Sequence, residues 1–368
     1  MKKARSVTAP MKFFVNKGLF ANLSEYTQSV GKSPYIIADP FIYERTKEEV
    51  GPEYEDSVIV EFGGENSNTE IDKNKEDYEE SDADFIIGIG GGKTMDNAKA
   101  VAHQADTSVV IFPTLAASDA PATSVSVLYS DEGEFEKYLF LPNNPDIVIA
   151  DLDILASTPE DHFAAGMADA IASWIEGRVA FETDGENLTE NRTSYTGYGI
   201  TKFGYETIRK YGVQALQAVK DDIVTNAFGR TIEASVYMSG VGSEAAGITA
   251  AHAIHNGMTS VPDLHGAKHG EKVAFGLITT LILEGASDKK VYDLANFFKE
   301  IELPLTLKDL GLTEFKEEEL RQVAEEACDP EDTMTNMSIE VTPDDVYQAI
   351  LLTDKVMQRV KNGYKVNH

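Results

Sequence analysis

The segment Phe85-Ile86-Ile87-Gly88-Ile89-Gly90-Gly91-Gly92-Lys93-Thr94 constrains this chain more than any other. An apolar run passing directly into three successive glycines reads as a strand entering a tight turn, and Met95 to Ala102 reads as the helix that leaves it. Comparable runs stand at Tyr35–Ala38, Val58–Phe62, Val109–Phe112 and Ile147–Ala150. They are apolar on consecutive rather than alternate residues, as parallel strands covered by helices on both faces must be. Their spacing leaves room for a helix in each gap, which is the βαβ arrangement. A doubly wound, parallel-sheet α/β domain is therefore expected.

The pattern changes at Ser157-Thr158-Pro159-Glu160, where a capping hydroxyl, a proline suited to a first helical turn and an acid near the positive helix end coincide. Phe163, Met167, Ala170, Ile171, Trp174 and Ile175 then recur at helical spacing, and no further run reads as a strand. A length of 368 residues suits two domains. The expected division is an α/β domain over 1–160 and an all-α domain over 161–368. The most charged stretch, Glu70 to Asp84, holds eight acids and two lysines and reads as a solvated helix face before the Phe85 strand.

Charge narrows the partners. With 62 acidic against 32 basic residues the net charge is −30, a field that repels phosphate backbones and anionic lipid. Nucleic acid and membrane are not expected partners, and the acidity serves solubility, including in a salty cytoplasm. Cys328 is the single cysteine, which excludes an internal disulfide and a cysteine-based zinc knuckle. No run approaches the ~18 apolar residues of a membrane span, and Met11 to Val15, broken by Lys12, is too short for a secretory core. A reducing, cytoplasmic setting is expected.

Three features carry chemistry. The glycine turn fits neither common phosphate fingerprint, since G-x-G-x-x-G from Gly88 would need glycine in place of Lys93 and a P-loop would need glycine in place of Ile87. Lys93 beside the glycines nevertheless suits an anion at a helix N-terminus, although a tight turn without a ligand would use the same glycines. Asp39, closing the run Tyr35–Ala38, stands where an acid can accept ribose hydroxyls and repel a 2′-phosphate, or can simply make a turn. Finally, His252 and His255 share one helical face, Asn256-Gly257 reads as the stop of that helix, and His265 and His269 follow as another helix opens. That density suits a metal or proton-transfer site. Asp169, an acid within the small apolar run Phe163 to Ala170, is the candidate anion to complete it. The protease motif H-E-x-x-H is absent.

Four ordered blocks resemble the iron-containing alcohol dehydrogenase superfamily, and most closely its glycerol dehydrogenase branch. They are Gly90-Gly91-Gly92-Lys93-Thr94-Met95-Asp96, Phe112 to Pro121, Gly166-Met167-Ala168-Asp169-Ala170, and His252-Ala253-Ile254-His255-Asn256-Gly257 continuing to His269 through Gly276. The resemblance implies a dehydroquinate synthase-like fold with the active site between its two domains. It implies Asp169, His252 and His269 as ligands of a divalent metal, zinc or alternatively iron or another divalent ion. It places His255 near the metal, where it could relay a proton, and Asp119 on the substrate. Asp39, Gly90, Gly91, Gly92, Lys93, Asp96, Thr114, Ser118, Thr123, Val125 and Tyr129 fall at positions serving NAD. Ser173 stands where many superfamily members carry a further histidine, and Ala117 where this branch usually has serine. The activity implied is NAD-dependent oxidation of glycerol or a similar vicinal diol to the hydroxyketone, by a homo-oligomer. The alternatives are another alcohol or polyol dehydrogenase, a glycerol-1-phosphate dehydrogenase-like enzyme, and an inactive binding protein that kept the fold.

Overall fold

The computed structural model describes residues 3–364, so the outermost residues of both expected domains lie outside it. Eight strands form in the first half: β1 (Lys12–Asn16), β2 (Pro34–Ala38), β3 (Val58–Glu61), β4 (Phe85–Gly90), β5 (Val109–Pro113), β6 (Val125–Tyr129), β7 (Phe135–Phe140) and β8 (Ile147–Asp151). Six of them make one parallel sheet in the order β1-β8-β5-β4-β2-β3.

The consecutive apolar runs have the cause expected of them. Ile36, Ile87, Val110 and Ile149 project to one face and pack with Phe20, Ile42 and Val50. Their neighbours Ile37, Ile86, Ile111 and Val148 project to the other face, against a core shared with Met95, Ala98, Phe163 and Met167. Each such side chain contributes roughly 1.5–3 kcal/mol through burial. The two edge strands are partly exposed, and β1 falls outside the expected set. Its sequence, Lys12-Phe13-Phe14-Val15-Asn16, is short, and its strand partner among the described residues, β8, lies over 130 residues downstream.

Two further strands were also not expected: β6 and β7 pair antiparallel as a separate hairpin. Ser126 and Leu128 are buried beneath it, while Phe135, Tyr138 and Phe140 are exposed. Two helices of this half matter to the site, α1 (Asn68–Glu80) and α2 (Gly92–Gln104). The acidic run does form α1, buried only through Ile71 and Asn74. The helix after the glycines starts three residues earlier than the apolar pattern suggested.

After Asp151 the described residues contain no strand, only isolated bridges at Arg192. The helices are α3 (Glu160–Glu182), α4 (Tyr195–Lys220), α5 (Ser239–Ala246), α6 (Ala250–Met258), α7 (His269–Leu283), α8 (Asp288–Glu300), α9 (Glu317–Ala327) and α10 (Pro343–Lys361), with shorter turns between them. α3 packs against α4, α5 and α7. A second core, including Ile254, Phe275, Leu320, Val323 and Ile350, joins α6, α7, α9 and α10.

Two local expectations are overturned. The hydroxyls before α3 do not cap it: Ser157 donates to the Ile154 carbonyl and Thr158 accepts from the Ala116 amide, leaving Pro159 as the cap residue. Asn256-Gly257 does not stop α6, which continues to Met258. Gly257 is there for packing, because a Cβ at that position would lie 2.4 Å from the Val323 carbonyl oxygen of α9. None of the described helices is long and apolar enough to cross a membrane.

Candidate active site

The chain runs from β2 outward to β3 and then returns to the other side of β2 to form β4, so the strand order reverses between β2 and β4. Crevices at the carboxyl ends of strands at such a point are where nucleotides bind in open α/β sheets. Asp39 and the glycine turn meet there. The Asp39 amide donates to the Ile89 carbonyl at 2.8 Å, one carboxylate oxygen accepts from the Phe41 amide at 2.9 Å, and the other faces the Thr94 hydroxyl at 3.3 Å. Gly91 is the cap residue of α2 and offers no side-chain acceptor, so the positive helix end is open to an anion. A Cβ built on Gly92 would meet nothing within 4 Å, which leaves the space a bound phosphate needs.

Lys93 lies at the rim of this crevice, bonded to Glu65 at 2.5 Å and 4.6 Å from the centre of the Tyr129 ring. Burial, with Asp96 and Glu65 nearby, pushes the Tyr129 phenol up to about 12. The Thr114 amide donates to the Gly90 carbonyl at 3.0 Å, and Val125 is half-buried on the hairpin face it shares with Tyr129. Ser118 accepts from the Ala120 amide within the loop that carries Asp119.

Asp96 and Thr123 do not face the crevice. Asp96 is buried, pairs with the buried Lys99 at 2.8 Å and accepts from the Val127 amide at 2.9 Å. Lys99 in turn donates to the carbonyls of Ala120 and Val125. This pair therefore ties the 120–127 segment to α2. The Thr123 hydroxyl is turned into its own loop, donating to the Ala120 carbonyl.

Across the crevice, Asp169 of α3, His252 of α6 and His269 at the start of α7 converge, with one potential ligand atom from each lying within 4.8 Å of the others. His269 reaches Asp169 because α7 begins in close contact with α3. A Cβ on Gly270 would come 2.0 Å from the Ala165 carbonyl oxygen, so only glycine permits that approach. The Nε2 atoms of His269 and His252 stand 3.2 and 3.6 Å from Asp169 Oδ1.

The surrounding residues fix both imidazoles. Glu176, two helical turns beyond Asp169 and fully buried, accepts from His252 Nδ1 at 2.5 Å and from the amides of Thr249, Ala251 and His252. Nε2 of His252 is thereby left as the ligand atom. On the other side His269 Nδ1 lies 3.0 Å from His255 Nε2, and His255 Nδ1 lies 3.1 Å from Asn256 Oδ1. Asn256 then donates to Asp332 at 3.0 Å. Both nitrogens of His255 are engaged within the protein. The geometry makes it a support for His269 and sets it in a hydrogen-bonded chain that leads away from the cluster.

Electrostatics agree with a cation site. Burial disfavours a charged His252, but Glu176 and Asp169 outweigh it and raise its pKa well above the ordinary value. Burial also opposes ionisation of Asp169, yet His269 and His252 hold it well below the carboxylate range. His255 moves the other way, lowered by burial and by His269 and Lys272. Two imidazoles with oriented nitrogens and one ionised carboxylate are a donor set that fits a divalent ion.

Asp119 borders this cluster, its amide 3.3 Å from Asp169 Oδ2. Desolvation and the neighbouring charge of Asp169 push it up to about 6. Its Oδ2 accepts from Ser243 at 2.9 Å and from Ser239 at 3.2 Å. Ser173, four residues after Asp169, contributes no ligand and instead bonds Ser239 at 2.8 Å. Sequence reasoning did not single out Glu176, Asp332, Ser239 or Ser243, and read Asn256 only as part of a helix stop. Only Glu176 left a local signal, as a second acid on the buried face of α3 at seven residues from Asp169.

A reversed strand order with an open helix end, together with a three-residue cluster that could hold a divalent ion, is the arrangement against which related proteins can be compared. Residues 10–152 match the iron-containing alcohol dehydrogenase family. A glycerol dehydrogenase of Escherichia coli is 40% identical over 359 residues, covering 96% of this chain and 98% of that one. A glycolaldehyde reductase of Halobacterium salinarum is 36% identical over 358 residues with the same coverage. The crystal structure of a probable glycerol dehydrogenase from Sinorhizobium meliloti superposes with a TM-score of 0.91 at 33% identity, covering 96% of this chain and 99% of that one. The chain belongs to the iron-containing alcohol dehydrogenase family, in its glycerol dehydrogenase branch, and is an oxidoreductase.

Proposed function

We propose that the protein oxidises glycerol, or a similar vicinal diol, to the corresponding hydroxyketone with NAD, and that Asp169, His252 and His269 hold zinc. The observation that carries the reading is the placement of Asp119 beside those three residues, opposite the open end of α2. Bound there, a divalent metal supplies Lewis-acid polarisation of a substrate hydroxyl, and the nicotinamide supplies the hydride acceptor. The chain's own residues bind and orient. Asp39 accepts the ribose hydroxyls and disfavours a 2′-phosphate. The first amides of α2 face the pyrophosphate, with Lys93 at the rim. Glu176 and His255 hold the imidazoles in one tautomer. Asp119 Oδ1, to which no protein donor is directed among the described residues, is free to accept a second hydroxyl next to the reacting carbon.

The similarity to a glycolaldehyde reductase fits the same geometry, since a hydroxyaldehyde also carries a hydroxyl beside the reacting carbon. A phosphorylated substrate is disfavoured, because Lys268 is paired with Asp161 and Glu271 and Lys272 is buried. Three protein ligands and room for a fourth suit zinc. The test is a steady-state screen of glycerol, 1,2-propanediol, glycolaldehyde and glycerol phosphate with both nicotinamide cofactors, before and after chelation. Diol oxidation with NAD, lost on chelation and restored by zinc, is expected. Full activity in the chelated protein, or equal efficiency with NADP, would overturn the metal or the Asp39 assignment respectively.

A further inference from the structure

Asp119 is contributed by the loop after β5, yet its carboxylate is held from the opposite layer. Ser239 and Ser243 lie one turn apart on α5, both are buried, and both direct their hydroxyls at the same oxygen, Oδ2. Ser239 is bonded in turn to Ser173 of α3, also buried, one turn beyond the ligand Asp169. The chain of contacts Ser173–Ser239–Asp119–Ser243 thus links the helix of the metal ligand, the small-residue helix α5 and the substrate loop.

We infer that this serine ladder determines specificity for a second substrate hydroxyl by holding Asp119 in one rotamer with Oδ2 occupied and Oδ1 presented to the ligand. An ionised carboxylate only accepts, so Ser239 and Ser243 must both donate to it, and the lone pairs of Ser239 remain available to Ser173. Ser243 also stands 3.2 Å from the Gly240 carbonyl, but the carboxylate is the nearer and the charged acceptor. Without the two donors the carboxylate would keep its charge but lose the contacts that fix its torsion, and a flexible acceptor discriminates poorly between one hydroxyl and two. The position that many superfamily members fill with histidine serves here to steady the substrate-reading acid. The inference rests on the proposed role of Asp119, and the three serines are positioning residues that act through it.

The test uses 1,2-propanediol and 2-propanol, which differ by a single hydroxyl, and reads the ratio of their kcat/KM values together with the metal content of each protein. Ser239→Ala/Ser243→Ala should lower the ratio about tenfold, the effect of losing a well-placed hydrogen bond to a charged group, while metal stays bound. The loss should fall mainly on KM for the diol. Ser243→Thr, which keeps a hydroxyl, should retain most of the selectivity, and Asp119→Ala combined with the double serine change should add little beyond Asp119→Ala alone. If Asp119→Ala lowers the ratio and the serine double variant does not, the ladder is refuted and the reading of Asp119 stands. If Asp119→Ala itself leaves the ratio unchanged, the diol reading fails, and the ladder with it. Loss of metal from the serine variants would show that they support the cluster instead, which also overturns the inference.

Discussion

Glu176 has no solvent exposure, and a buried carboxylate is retained only where donors replace its lost hydration. Here three backbone amides and the His252 imidazole do so. Such a partner orients a ligand and raises its basicity, and its loss weakens metal binding by about 10–100-fold. Glu176→Gln should therefore release zinc faster to a chromophoric chelator than the unaltered protein, as should His255→Ala through His269. His252→Ala or His269→Ala should lose the ion altogether, because two protein ligands rarely retain a catalytic zinc. Metal analysis of the purified variants checks this ordering. Stoichiometric zinc in the His252 or His269 variants would remove the proposed site.

Among the elements, the segment that follows β5 is tied to α2 by a buried ion pair. Lys99 of α2 is buried three residues after Asp96, and its charge is met by Asp96 and by the carbonyls of Ala120 and Val125. The ordinary reading of a lysine on a helix is a solvated one, and nothing local marks this side chain as 2% exposed. Removing one partner of a buried pair leaves the other charge uncompensated, which costs about 3–5 kcal/mol. Lys99→Ala should lower the thermal midpoint by many degrees and loosen the 120–127 segment, read as faster amide exchange at Val127. Lys99→Met with Asp96→Asn, which removes both charges, should recover much of the stability. A Lys99→Ala protein as stable as the original would show that the pair does not hold that segment.

For the whole molecule, the net charge of −30 acts on stability rather than on fold. Many of the acids lie on exposed surfaces such as α1, where Asp72, Glu76, Asp77, Glu79 and Glu80 all face solvent. Their mutual repulsion is long-ranged at low ionic strength, with a Debye length of about 30 Å at 0.01 M and about 3 Å at 1 M. Surface ion pairs such as Lys75–Glu79 are weakened by the same screening, but each contributes only ~0.2–1 kcal/mol. The repulsion among so many like charges dominates. The midpoint of thermal unfolding should rise as sodium chloride increases from 0.01 to about 1 M. A midpoint that fell over this interval would mean that attractive pairs outweigh the repulsion.

The parallel sheet, the glycine turn at the end of β4 and the helical second half were legible because each is written in neighbouring residues. A strand covered on both faces must be apolar at every position, and a helix packed on one face must be apolar every three or four. The density of His252, His255, His265 and His269 and the acid Asp169 in an apolar run were legible as a candidate site, but the ligand set Asp169, His252 and His269 and the role of Asp119 came from resemblance to a family, since separations of 83 and 17 residues have no local signature. Only the tertiary structure set β1 beside β8, turned Asp96 inward to Lys99, and brought Glu176 to His252 and Asn256 to His255. It also joined the hydroxyls of Ser239 and Ser243 to the Asp119 carboxylate, and Ser173 to Ser239. Periodicity reports which face of an element is buried. Which atoms meet across that buried face depends on how whole elements pack, and short polar side chains carry no periodic trace of their partners.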